Sequence, residues 1–146
     1  MRTGFFPGIV AFLIAQVIPA QSGLQDRMSI LPRTEFEVVG RYPHDSNAYT
    51  QGLVWHKGGF YESTGLYGQS TLRRVDLETG TILQLTALQD EYFGEGITII
   101  NSTIVQLTWE THKGFVYDKE SFNLLQQFSY PTEGWGITFD GSRLIF

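Results

Sequence analysis

Three stretches of this chain repeat one another at an interval of about 40–45 residues, and that interval restricts the fold more than any other feature of the sequence. Phe36-Glu37-Val38-Val39 leads through Tyr42-Pro43-His44 to Thr50-Gln51-Gly52-Leu53. Leu83-Gln84-Leu85 leads through Asp90-Glu91-Tyr92 to Gly94-Glu95-Gly96-Ile97. Leu125-Gln126-Gln127-Phe128 leads through Tyr130-Pro131 to Gly134-Trp135-Gly136-Ile137. Each time a strand is followed by a polar loop, then by one variable residue, a glycine and an aliphatic residue. Gly52, Gly96 and Gly136 stand 44 and 40 residues apart. The stretches between them also match. Val75-Asp76-Leu77-Glu78-Thr79-Gly80 corresponds to Tyr117-Asp118-Lys119-Glu120-Ser121-Phe122, with each aspartate placed to bond backbone groups in its turn.

Alternation such as Leu72-Arg73-Arg74-Val75 predicts about four short strands per unit. They fall after Gly52, around Tyr67 to Val75, after Gly80, and at the start of the next unit. Four strands at this period predict an all-β chain, and within that class a β-propeller. An ordinary β-sandwich would leave the agreement of three copies in order and spacing to coincidence. Aromatics at 14% alongside 16 glycines fit many short strands and tight turns. The innermost strands of a propeller line one channel, and their loops meet at one mouth. Gln51, Glu95 and Trp135 hold the same place in successive units, so they are expected to meet there. The visible units amount to roughly two and a half blades, whereas closure needs at least ~4. The expectation is therefore a truncated chain that stops within the apolar stretch Arg143-Leu144-Ile145-Phe146.

Tyr92-Phe93-Gly94-Glu95-Gly96 is the candidate for chemistry. The flanking glycines would let a ligand approach the backbone, and the aromatics would form a pocket wall. A carboxyl placed there loses water, and its pKa rises towards a value useful for proton transfer. The alternative is a tight turn with Glu95 in solvent.

Other chemistries lack their residues. A net charge of −5 and a pI near 5.1 leave no basic footprint for nucleic acid. The chain has no cysteine, which removes disulfides, thiolate nucleophiles and Cys-ligated zinc. His44, His56 and His112 form no pair at metal-ligand spacing, so neither a metal nor another cofactor is expected. There is no Gly-x-Ser-x-Gly elbow.

The N-terminus reads as a secretory signal, with Arg2 before the apolar run Ile9 to Ile18 and small residues after it. Cleavage after Ser22 is preferred to cleavage after Ala20, and an uncleaved anchor is the alternative. Residues 1–22 are thus assigned to the signal, 23–35 to a linker and 36–146 to the repeat domain. The route is the secretory pathway, ending outside the cell or in a periplasmic or endomembrane lumen, with no membrane attachment after cleavage. Asn101-Ser102-Thr103 is a glycosylation sequon on a turn, with Asn101 the acceptor.

Five ordered motifs resemble one family. Tyr42-Pro43-His44-Asp45, Tyr49-Thr50-Gln51-Gly52-Leu53 and Glu62-Ser63-Thr64-Gly65-Leu66-Tyr67-Gly68-Gln69-Ser70 are similar to the opening of the plant- and bacterial-type glutaminyl-peptide cyclotransferases. Tyr92-Phe93-Gly94-Glu95-Gly96 and Gly134-Trp135-Gly136 continue the resemblance, which covers about the first half of that family's domain. It implies a five-bladed β-propeller when the protein is full length. It also implies conversion of an N-terminal glutamine, on a peptide or protein, to pyroglutamate with loss of ammonia, without a metal. The full-length protein is expected to be a monomer.

By the same resemblance Glu95 is the acid/base group and Gln51 orients the substrate. Phe93, Trp109 and Trp135 form the aromatic wall. Tyr49 stands where the family usually carries phenylalanine. From the residues alone, Trp109 could equally be a core ring between blades, and Gln51 could satisfy a turn. Glu62 reads as structural, bonding within a turn at Ser63-Thr64. The functional alternatives are a secreted propeller that binds peptides without catalysis, and an inactive fragment.

Overall fold

Each repeat forms one four-stranded antiparallel sheet in the computed structural model, which describes residues 37–146. The first sheet runs β1 (Thr50–His56), β2 (Gly59–Thr64), β3 (Thr71–Val75) and β4 (Ile82–Ala87), paired in chain order. The second runs β5 (Gly94–Ile100), β6 (Thr103–Thr108), β7 (Lys113–Asp118) and β8 (Leu124–Ser129) in the same way. The start of the third repeat forms a separate hairpin of β9 (Thr138–Phe139) and β10 (Leu144–Ile145). No helix occurs among the described residues.

Local chemistry sets the corners. Two-residue turns join β1 to β2 and β5 to β6, with left-handed backbone at Lys57 (φ 47°), Gly58 (φ 87°) and Asn101 (φ 54°). The aspartates behave as predicted. Thr79 N donates to Asp76 Oδ1 at 2.9 Å, and Ser121 N donates to Asp118 Oδ1 at 2.8 Å. Gly80 closes the first of these turns at φ 68°, whereas Phe122 closes the second at φ 58°. A bulky residue is strained there. Phe122 is nevertheless buried in the core, 6.2 Å from the Tyr61 ring, and that burial offsets the strain.

The core joins the two sheets. Tyr61 and Leu72 from the first sheet pack in one cluster with Ile97, Ile104, Phe115 and Tyr117 from the second. The inner strands come closest at the repeated glycines. A Cβ on Gly52 would lie 2.7 Å from Ile97 N, and one on Gly96 would lie 2.5 Å from Trp135 O. Only glycine lets these backbones approach so closely.

Three local expectations are corrected. Glu37–Val39 form no strand, whereas their counterparts β4 and β8 pair with β3 and β7; among the described residues nothing plays that partner for 37–39. Tyr67–Gln69 form a turn, with Gln69 N donating to Leu66 O at 3.0 Å, and β3 starts only at Thr71. Glu62 is a central residue of β2, 1% exposed, and not part of a turn. The signal and linker assigned to residues 1–35 lie outside the described residues.

Candidate active site

Two β-bulges carry the polar groups of the site. β1 and β2 pair Thr50 with Thr64 and Gly52 with Ser63, so Gln51 is an extra residue on β1. β5 and β6 pair Gly94 with Thr108 and Ile97 with Gln106, so Glu95 and Gly96 together oppose Leu107. A bulge breaks strict alternation and re-aims the side chain it contains. The same step recurs 44 residues on, and the Gln51 amide donates to Glu95 Oε1 at 2.8 Å.

The rings are placed by a backbone relay that repeats from unit to unit. Gly65 N donates to Tyr49 O at 2.9 Å, Trp109 N to Phe93 O at 3.0 Å, and Gly134 N to Trp109 O at 3.0 Å. Gly96 N donates to Trp135 O at 2.7 Å and ties the third unit to the second. The rings then meet edge to face: Tyr49 and Phe93 at 6.0 Å, Phe93 and Trp109 at 5.7 Å, Trp109 and Trp135 at 5.9 Å.

Tyr49, Gln51, Phe93, Glu95, Trp109 and Trp135 line one cavity of about 290 Å³. All six residues singled out for catalysis or substrate binding are therefore brought together. Trp109 is a half-buried wall of the cavity and not a core ring. Gln51 bonds Glu95 and not a turn. Asn101 lies on the exposed turn at the far end of β5, away from this cluster.

Glu95 is buried, with 3% of its surface exposed. Loss of water pushes its pKa up to about 7, while the hydrogen bond from Gln51 pulls the other way. Among the described residues it forms no ion pair. A carboxyl in this state exchanges protons near neutral pH, between aromatic walls that limit water.

The flanking glycines act differently from the expectation. The space beside Gly94 is held by Thr64 O, 2.7 Å from where a Cβ would lie, and the space beside Gly96 by Trp135 O. They admit neighbouring backbone rather than a ligand.

Two contacts were not anticipated. Tyr67 meets Phe93 edge on at 5.5 Å, and Glu133 Oε2 accepts from Trp109 Nε1 at 3.2 Å. Glu133 was open to discovery, because it precedes its glycine as Tyr49 and Phe93 precede Thr50 and Gly94. Tyr67 gave no such signal, since its loop fits no period.

Comparison with known proteins identifies the family. The family described as glutamine cyclotransferase matches residues 9–146. The Arabidopsis thaliana glutaminyl-peptide cyclotransferase is 42% identical over 113 residues, which is 76% of this chain and 35% of that protein. The crystal structure of Myxococcus xanthus glutaminyl cyclase superposes with a TM-score of 0.67 at 34% identity, over 74% of this chain and 45% of that one. The chain thus spans less than half the length of either relative.

Proposed function

This chain belongs to the glutamine cyclotransferase family, and on that premise we propose that the complete protein converts N-terminal glutamine of peptides or proteins to pyroglutamate. The observation that carries this reading is the buried Glu95 carboxyl, poised near pH 7 and bonded by Gln51 in an aromatic-walled cavity.

The reaction is internal to one residue. The substrate's α-amine attacks its own side-chain amide carbon. A carbon–nitrogen bond forms, the bond to the amide nitrogen breaks, and ammonia leaves. Holding the side chain folded back supplies much of the rate, because both reacting groups are already joined. The walls of Tyr49, Phe93, Trp109 and Trp135 suit a compact chain and limit water. Glu95 takes a proton from the attacking amine and returns it to the departing nitrogen. Gln51 holds Glu95 and offers its amide to the substrate.

The sign of the pH effect follows from the raised pKa. Below about 7 Glu95 is protonated and cannot accept the proton, so kcat/KM falls as pH drops through that value. The α-amine, with a reference pKa of about 7.7–8.0, works in the same direction.

The fold that accompanies this reading is a five-bladed propeller, in which the two four-stranded sheets are consecutive blades and the β9–β10 hairpin begins a third. Its support is the repeat of four antiparallel strands and the approach of β1 to β5 and of β5 to β9. Entry to the secretory pathway is proposed from Arg2 and the run Ile9 to Ile18, with a monomeric product free of the membrane after cleavage.

Ammonia release from a glutamine-initiated dipeptide by the complete protein is the test. Glu95→Gln keeps the size but removes proton exchange, and it is expected to lower kcat by ~10²–10⁴-fold with the fold intact. Full activity in that variant, with the same pH profile, would exclude Glu95 as the acid/base.

A further inference from the structure

We propose that Glu62 is a positioning residue for this site: acting through Thr50, it holds the bulge that presents Gln51 to Glu95. Glu62 lies outside the cavity that holds Glu95, in the middle of β2, and it is 1% exposed. Its Oε1 accepts from Thr50 Oγ1 at 2.5 Å and from His44 Nε2 at 2.8 Å. Its Oε2 lies 3.9 Å from Arg73 Nε, and Arg73 in turn donates to Asp45 Oδ2 at 2.9 Å. One buried carboxyl therefore gathers the loop before β1 and the first residue of β1. Thr50 is the residue between Tyr49 and Gln51, both of which line the cavity.

The second sheet shows that this tie is not simply what the fold requires. Gln106 occupies the place of Glu62, and Gly94 the place of Thr50, so no hydroxyl is there to be held. Gln106 instead donates to Ser63 Oγ at 2.7 Å, and Gly94 N donates to Ser70 Oγ at 3.0 Å. At the second bulge it is the glycine's own N–H that is held, by the Ser70 hydroxyl, with no buried carboxyl involved. The first bulge lacks a glycine at that position, and a side-chain hydroxyl on a buried carboxyl takes over. The carboxyl is buried, so no water replaces the hydroxyl's bond to it and the bond restrains Thr50.

The link to turnover rests on the cyclase reading, so the test reads placement separately. The measurement is a carbon-detected NMR titration of the Glu95 carboxyl in the complete protein, paired with kcat and KM across pH. The variants are Thr50→Val, Thr50→Ser and Glu62→Gln. The titratable groups near these positions are His44, Asp45 and Arg73 around Glu62, and Tyr130 near Glu95. Thr50→Val keeps the branched shape and removes the hydroxyl. It should weaken the Gln51 bond and raise the Glu95 midpoint by about 0.3–1 pH unit, with a two- to tenfold loss of kcat/KM at pH 6. Glu62→Gln should act in the same direction, and Thr50→Ser should leave the midpoint unmoved. A wild-type midpoint in Thr50→Val overturns the proposal, as does an equal shift in Thr50→Ser. If Glu62→Gln does not fold, the Thr50 pair decides. If the wild-type protein releases no ammonia, the cyclase reading fails while the titration still judges the placement.

Discussion

The two sheets share one plan and exchange an acid for an amide. In the first, the bulge carries Gln51 and the buried strand behind it carries Glu62. In the second, the bulge carries Glu95 and the buried strand carries Gln106. Both carboxyls are buried, at 1% and 3% exposure. Their surroundings separate them. Glu62 is met by a hydroxyl, an imidazole and a nearby guanidinium, and it ties the framework together. Glu95 receives one amide and faces a cavity walled by rings. Burial alone thus does not decide what a carboxyl does. The number of donors supplied to it, and whether it faces packed protein or open space, separate the scaffold role proposed for Glu62 from the acid/base role proposed for Glu95.

The sharpest way to break this comparison is to move the acid. The double variant Gln51→Glu with Glu95→Gln keeps one acid and one amide in contact but puts the acid on the first sheet. Steady-state ammonia release is expected to fall by at least ~10²-fold, because proton transfer depends on position as well as pKa. Activity close to wild type would show that the two bulges are interchangeable.

A smaller effect concerns two of the repeated glycines, Gly96 and Gly136. A Cβ at Gly96 would meet Trp135 O at 2.5 Å, whereas one at Gly136 meets nothing within 4 Å. Urea unfolding of the complete protein should show Gly96→Ala destabilised by about 1–3 kcal/mol and Gly136→Ala changed by less than about 0.5 kcal/mol. Equal losses would mean that the close approach of the inner strands at Gly96 is not what the glycine serves.

Removing the buried acid should stabilise the protein as it inactivates it. Glu95 has a folded pKa raised from the ordinary value of 4.5 to about 7. The unfolded chain ionises first as pH rises, so the folded state is progressively disfavoured between those values. Glu95→Gln should therefore gain about 1–2 kcal/mol over wild type at pH 8, and the gain should fade by pH 4. A gain of the same size at both pH values would point to packing rather than charge. The smallest effect is expected at Tyr67→Phe. It keeps the ring on Phe93 and removes only an exposed contact of 3.5 Å to Glu110, so stability should move by less than about 0.5 kcal/mol.

The repeat was legible because spacing is a one-dimensional property. The similar intervals of 44 and 40 residues between Gly52, Gly96 and Gly136 placed the inner strands, and the equivalence of Gln51, Glu95 and Trp135 followed. The turn aspartates Asp76 and Asp118 were legible for the same reason, since they act on neighbours within three residues. Glu37–Val39 misled because their apolar pattern matches β4 and β8, yet a strand needs a ladder partner that pattern cannot supply. Glu62 misled because its polar neighbours look like a turn, while the β2 pairing places it among buried groups.

What the sequence by itself determined is the period, the strand content, the family and the residues that converge. Those follow from residue types and intervals along one chain. Only the tertiary structure decided how they are used. The bulges exist because of register against a second strand. The glycines beside Glu95 admit Thr64 and Trp135 backbone because other strands arrive there. The pKa of Glu95 rises because neighbouring units exclude water from it, and the one amide they supply only partly offsets that rise. Register, close approach and solvent exclusion are relations between segments distant in the chain, and local sequence carries no record of the distance between them.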